Sequence, residues 1–196
     1  MYHIYRTPGF ILKANHVGEA DGYFTIYTRD MGLVKAYAKG VRNLKSKLRP
    51  CLGDYSYSEF MLVKGKHAWK ITNAIGLGNL FYELAANKKI MNVFANVFAL
   101  LRNLLHGQEK NEMLFHHILS SYMFSKENRI RDDQVPQFEC MLVLRILHSL
   151  GYVGASSHLY RLIDSKEWRE DRLEELKHLM PHAVLEINRS LSASQL

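Results

Sequence analysis

The chain has 196 residues, with 26 Lys plus Arg against 19 Asp plus Glu and a net charge of +7. A hydrophobic content of 47% excludes a disordered or collagen-like chain, and the length suits one domain or two small ones. Two cysteines, Cys51 and Cys140, are too few for a disulfide framework or a four-thiolate zinc site, so a reducing compartment fits best.

At the N-terminus, MYHIYRTPGF has no apolar signal region. Residues 8–76 carry strand patterns. Phe10, Leu12 and Ala14 alternate with Ile11 and Lys13. The run Tyr23–Thr28 is dense in aromatic and β-branched residues, Leu33–Lys39 alternates with period two, and Ser56–Val63 and Ala68–Ile75 follow. Turn signals fall at 15–22, 29–32 and 64–66. Five short strands in this length predict a small, strongly curved barrel or sandwich, and the long stretch from Gly40 to Tyr55 is not a hairpin. The domain boundary is placed in the Gly-containing segment 75–79.

Beyond Gly78 the apolar period becomes three and four, from Leu80 through Ile90, Val93 and Val97 to Leu105, closed by His106-Gly107. Met113–Phe124 is a second amphipathic helix. A third has Pro136 in its first turn, an apolar face from Phe138 to Leu150, and Gly151 as its stop. A fourth, Trp168–Leu179, is expected to end near Pro181, with a short fifth segment at Ala183–Leu191 and a frayed tail. The apolar patch Val93–Leu105 is broken by Asn96, Arg102 and Asn103, too short and polar to span a membrane. The fold class is α+β: an N-terminal five-stranded, OB-like β-barrel over residues 1–78, followed by an all-α domain over 79–196. The expected location is cytoplasmic, with no membrane partner.

The charge is unevenly placed. Residues 1–78 hold twelve Lys or Arg and five acids, whereas residues 79–196 hold fourteen of each. Between Asp30 and Asp54 there are six bases and no acid. Such a single-sign field attracts polyanions. On the strand Leu33–Lys39, Val34, Ala36 and Ala38 are assigned to the core, which leaves Lys35, Tyr37 and Lys39 on the outer face. A ring between two ammonium groups suits a single strand, because rings stack on bases while cations hold phosphates. Arg42, Lys45, Lys47 and Arg49 follow in the long loop, and Lys64 and Lys66 lie on the 64–66 turn. Five-stranded barrels use a sheet face and adjacent loops in this way for oligonucleotides. The alternative is that Tyr37 is a half-buried edge aromatic and the lysines blunt an exposed strand edge.

Catalytic and metal chemistry finds little support. His178 and His182 have the spacing of a helical zinc pair, but Pro181 lies between them and no third ligand is near in sequence. Adjacent His116 and His117 point to different faces, one surface and one core. Asp132-Asp133 beside Pro136 suits a helix start. Gly76-x-Gly78 lacks the third glycine and the βαβ context of a dinucleotide site, and no phosphate-loop motif for ATP occurs. Cys140 falls on a packed helix, and Cys51 is read as a solvated, inert thiol. No nucleophile, base and orienting group come together, so a non-enzymatic protein with no cofactor is expected.

Residues 21–50 resemble the N-terminal barrel of the RecO family of bacterial DNA repair proteins. The resemblance rests on Thr28-x-x-x-Gly32, Ala38-Lys39-Gly40 and the basic loop ending in Ser46-Lys47-Leu48. Residues 138–152 are similar to a helix of the same family, with Phe138-Glu139, a Leu-rich face and a closing Leu150-Gly151-Tyr152. The resemblance implies a recombination mediator in the repair of DNA breaks and gaps. Such a protein binds single- and double-stranded DNA, anneals complementary strands, and works with RecR and single-strand-binding protein to load the RecA recombinase. Many members carry a four-cysteine zinc module after Leu-Gly-Tyr, whereas residues 153–196 contain no Cys. Two alternatives stay open on the residues alone: an RNA-binding barrel protein, and a helical protein-interaction scaffold with an incidental basic barrel.

Overall fold

Every strand expected between residues 8 and 76 forms in the computed structural model, which describes residues 3–66, 68–127, 130–154 and 159–193. The chain divides into two units, residues 1–86 with 105–111, and residues 87–104 with 112–196. The first unit thus extends past residue 78 and also takes in residues 105–111. No helix among the described residues is long and apolar enough to cross a membrane.

The first unit is a closed barrel in the order β1-β2-β3-β5-β4. Its strands are β1 (Ile4–Val17), β2 (Asp21–Thr28), β3 (Gly32–Ala38), β4 (Ser56–Lys64) and β5 (Trp69–Asn79). Four pairings are antiparallel. The fifth, β3 with β5, is parallel and joins Ala36 to Trp69 and Tyr37 to Lys70. The ladder closes because β1 is long enough to pair with β2 on one side and β4 on the other, with a register shift between Ile11 and Lys13 that bends it. Ile11, Phe24, Ile26, Val34, Phe60, Leu62 and Ile71 fill the interior, and Ala36 and Ala38 keep β3 thin enough to fit among them.

The two motifs that carried the resemblance have clear backbone roles. At the β2–β3 hairpin the Thr28 hydroxyl donates to the Gly32 carbonyl at 2.9 Å and accepts from the Met31 amide at 3.1 Å. Gly32 has φ of 65°, and a Cβ there would lie 2.3 Å from the Glu109 carbonyl oxygen. The segment 105–111 thus packs directly on the hairpin, where Tyr27 also donates to the Asn111 carbonyl at 3.2 Å. Gly40, with φ of 64°, ends β3 in the left-handed region.

Three expectations are corrected here. β1 runs to Val17, so the first turn is only Gly18–Ala20. Residues 75–79 are strand rather than a boundary, because Ser56 and Tyr57 of β4 pair with Asn79 and Gly78, and Leu77 is the extra residue of a bulge. Cys51 is not solvated; it is half-buried and packs on the barrel core.

The apolar stretch expected from Leu80 to Leu105 is two helices, α1 (Leu80–Glu83) and α2 (Lys88–Leu104). Asn79 caps the first through the Tyr82 amide and Asn87 caps the second through the Ile90 amide. The second unit continues with α3 (Glu112–Lys126), α4 (Val135–Ser149), α5 (Tyr160–Ile163) and α6 (Glu170–Ala193). Its centre is α4, which packs on α2, α3, α5 and α6. Leu150-Gly151-Tyr152 ends it as a C-terminal cap: Gly151 has φ of 81°, its amide donates to His148, and the Tyr152 amide donates to Leu147. Arg145 is fully buried in α4, with its guanidinium 4.5 Å over the Trp168 ring and donating to the Glu167 and Leu162 carbonyls. Burial pulls its pKa down to about 10. The helix expected to stop at Pro181 instead runs through it as one 24-residue element. Pro181 lies on the exposed side, where water can satisfy the carbonyl that loses its amide donor. Residues 194–196 of the tail lie outside the described residues.

Candidate nucleic-acid interface

The strand β3 presents the faces expected of it. Val34, Ala36 and Ala38 are fully buried, Lys35 and Lys39 are exposed, and Tyr37 is half-buried. Registration across the sheet then adds partners that lie far away in sequence. Tyr37 is flanked by Tyr23 on β2 and by Lys70 on β5, and Tyr23 is paired in turn with Asn15 on β1. The adjacent outer row holds Lys13, Thr25 and Lys35. Two tyrosines therefore sit side by side on a face edged by Lys13, Lys35, Lys39 and Lys70.

Asp21 organises one end of this face. Its Oδ2 accepts the Tyr37 hydroxyl, and its Oδ1 accepts the Gly40 amide at 2.7 Å. These bonds, the Tyr37 one first, hold the Asp21 carboxyl below its ordinary pKa, and the same contact raises that of the Tyr37 phenol. The long loop then starts along the β1–β2 turn. The Arg42 amide donates to the Ala20 carbonyl at 2.9 Å and its guanidinium to the Gly18 carbonyl at 3.3 Å.

A series of turns carries the loop onward, with amides of Asn43, Ser46, Arg49 and Cys51 each donating three residues back. Val41 and Leu52 anchor its ends in the core, whereas Leu44 is 89% exposed among the cations. Lys45, Lys47 and Arg49 are exposed. The loop finishes where the Ser58 hydroxyl donates to the Cys51 carbonyl and Gly76 approaches the Cys51 sulfur. Gly76 is six residues beyond Lys70 on β5, or roughly 20 Å along the strand. Arg49 is thus at the far end of a cationic track, not on the tyrosine face.

Lys64 and Lys66 are also exposed. Lys64 pairs with Trp69, which pairs with Ala36, and both of those side chains point into the barrel. Lys64 therefore emerges at the barrel mouth rather than beside Tyr37. Lys66 lies on the β4–β5 turn.

The charge balance of the barrel sharpens the picture. Arg6 is paired with Glu59 at 2.6 Å and Arg29 with Asp30 at 3.1 Å. The remaining ten bases of residues 1–78 are Lys13, Lys35, Lys39, Arg42, Lys45, Lys47, Arg49, Lys64, Lys66 and Lys70. Among the described residues none of them is in an ion pair with a carboxylate. The sequence alone marks eight of these cations, Lys64 and Lys66 included, and misses Lys13 and Lys70. Period-two alternation marks Lys70 as facing away from Trp69 and Ile71, but only the parallel β3–β5 pairing puts it next to Tyr37.

Among the described residues no group of three or more His, Cys, Asp and Glu side chains is arranged to hold a metal. His116 is exposed, and His117 is buried in α3 with its Nδ1 lacking a hydrogen-bond partner. Burial, with the nearby Arg145 charge second, lowers the His117 pKa to about 3. Burial raises the Cys140 thiol to about 11. Neither group is poised for nucleophilic or acid–base work near neutral pH.

Residues 1–79 match the family described as Recombination protein O N terminal. Across a longer stretch, the chain is 28% identical over 169 residues to a DNA repair protein RecO of Alkaliphilus metalliredigens, covering 84% of this chain and 66% of that protein. It is 31% identical over 148 residues to the DNA repair protein RecO of Acetivibrio thermocellus, covering 75% and 57%. With that of Rubrobacter xylanophilus it shares 40% identity over 74 residues, 38% of this chain and 30% of the relative. The chain thus spans two thirds or less of the length of the curated relatives it matches. With the OB-like barrel order, the matched N-terminal domain and relatives that extend into the helices, the chain belongs to the RecO family.

Proposed function

We propose that this chain is a DNA-binding recombination mediator that holds and anneals complementary strands during the repair of breaks and gaps. The observation that carries this reading is the gathering, among the described residues, of ten cations without an ion-pair partner on the barrel unit, several of them around Tyr23 and Tyr37. Annealing needs no covalent step. It needs the charge of two polyanions neutralised so that they can approach, and an unpaired lysine or arginine supplies that without first breaking an internal ion pair. RecR and single-strand-binding protein are the protein partners that the family resemblance implies, with RecA loading as the outcome.

The test is the annealing rate of complementary DNA oligonucleotides with and without protein, run beside RNA strands of the same sequence. The reading expects DNA annealing to accelerate at low salt and to lose that acceleration as salt rises. Faster annealing of RNA than of DNA would move the barrel to RNA. Binding of neither polymer at low salt would leave a protein-interaction scaffold.

A further inference from the structure

We infer that Tyr23 and Tyr37 together form a two-ring seat for unpaired bases, and that Asp21 is the positioning residue that sets it. The inference rests on the DNA-binding reading above and assigns it a preference for single strands.

Three observations carry it. First, the two tyrosines are direct cross-strand neighbours on β2 and β3, with ring centroids 5.1 Å apart and planes tilted by 53°. Tyr23 is 43% exposed, so its ring is open to solvent. The pair therefore offers adjoining π surfaces that point outward rather than into a core. Second, cations surround the pair at the places a sugar–phosphate chain would pass: Lys35 and Lys39 along β3, and Lys70 on the adjoining strand. Bases on rings with phosphates on flanking ammonium groups is the arrangement that single strands favour, because a duplex keeps its base faces stacked inside.

Third, Asp21 is the one acid within β1, β2, β3 and β5 as described, and both its oxygens are engaged. One oxygen takes the Tyr37 hydroxyl and the other takes the Gly40 amide. A carboxylate in a field meant for phosphates works against binding by charge alone. Its bonds give it the opposite effect, because they fix the Tyr37 ring and the point at which the basic loop leaves the barrel. The two roles predict opposite signs on removal.

The experiment measures the affinity of the full chain for an oligothymidine of about 20 nucleotides and for a duplex of the same length. Tyr23→Ala should weaken oligothymidine binding about 5- to 150-fold, the range expected for the loss of one stacked base, and leave duplex binding within about twofold. Tyr23→Phe keeps the ring and should bind like wild type. Tyr23→Val, a strand former without a ring, repeats the alanine test should Tyr23→Ala lose its thermal transition. Asp21→Ala should weaken oligothymidine binding although it removes a negative charge, and Asp21→Asn, which can still bond both partners, should restore it. Tighter binding of both probes by Asp21→Ala and Asp21→Asn alike would make Asp21 a repelling charge and overturn its positioning role. Equal losses on both probes, or none, for Tyr23→Ala and Tyr23→Val would overturn the ring seat while leaving DNA binding intact. Failure of the wild-type chain to bind either probe at low salt would remove the DNA reading itself, a different result.

Discussion

Replacing Arg42, Lys45 and Lys47 together by alanine separates binding charge from solubility charge. All three side chains are exposed and none is ion-paired, so each can neutralise a phosphate without first leaving a carboxylate. Their removal costs the fold little. Among the described residues the side-chain bond lost is the exposed one from Arg42 to the Gly18 carbonyl, at 3.3 Å, worth about 1 kcal/mol at most. The binding consequence is larger. Each phosphate contact contributes about 0.7 to the log–log salt slope on single strands and about 0.9 on duplex. Loss of three contacts flattens the slope by about 2 on single strands and about 2.7 on duplex. Between 50 and 200 mM salt, wild type should therefore lose roughly 20-fold more single-strand affinity than the variant, and roughly 40-fold more duplex affinity. The assay is fluorescence anisotropy with labelled strands of several sequences across that salt range. The loss should be the same for every sequence, because phosphate contacts carry little base information. An unchanged slope in a variant that melts like wild type would refute the argument, and the loop would be a solubility feature.

Gly32→Ala should destabilise the barrel unit by about 2 kcal/mol or more, since it places a Cβ at positive φ and against the Glu109 backbone; urea unfolding measures it, and a wild-type midpoint would count against the packing of 105–111 on the hairpin. His117 gives a pH dependence of defined sign. Its folded pKa of about 3 lies below the ordinary value of 6.5, so the unfolded chain takes up a proton first as pH falls. Its stabilising effect is complete above pH 6.5 and is lost as pH falls toward 3, by about 2 kcal/mol at pH 5. Denaturant unfolding at pH 7 and pH 5 should show this loss in wild type and not in His117→Gln. Equal losses in both would place the pH dependence elsewhere.

The parts of this molecule that were legible in its sequence are those set by local periodicity. β3 alternates cleanly, so the inward set Val34, Ala36 and Ala38 and the outward set Lys35, Tyr37 and Lys39 followed directly. The helix end at Gly151 was equally local, because a left-handed glycine after an apolar face is a strong stop. What was not legible depends on pairing between distant segments. The glycines at 76 and 78 suggest a linker until β4 is laid beside them. Lys64 and Lys70 are both exposed lysines near the β4–β5 turn, and only the register puts Lys64 at the barrel mouth and Lys70 beside Tyr37. The Asp21 contact joins residues 16 and 19 positions apart through a sheet, and no spacing rule predicts it. Pro181 was misread for a different reason: its local rule is sound, but α6 packs on α4 as one element and its Pro181 lies on the exposed side.

The most direct test of the central claim is a map of lysine reactivity with and without DNA. The protein is treated briefly with an amine-acetylating reagent at low salt, free and saturated with oligothymidine, and the modified lysines are quantified by mass spectrometry. The account predicts that Lys35, Lys39, Lys45, Lys47 and Lys70 become protected, while Lys88, Lys89, Lys126, Lys166 and Lys177 of the helical unit stay reactive. Protection confined to the helical lysines, with the barrel set unchanged, would contradict it.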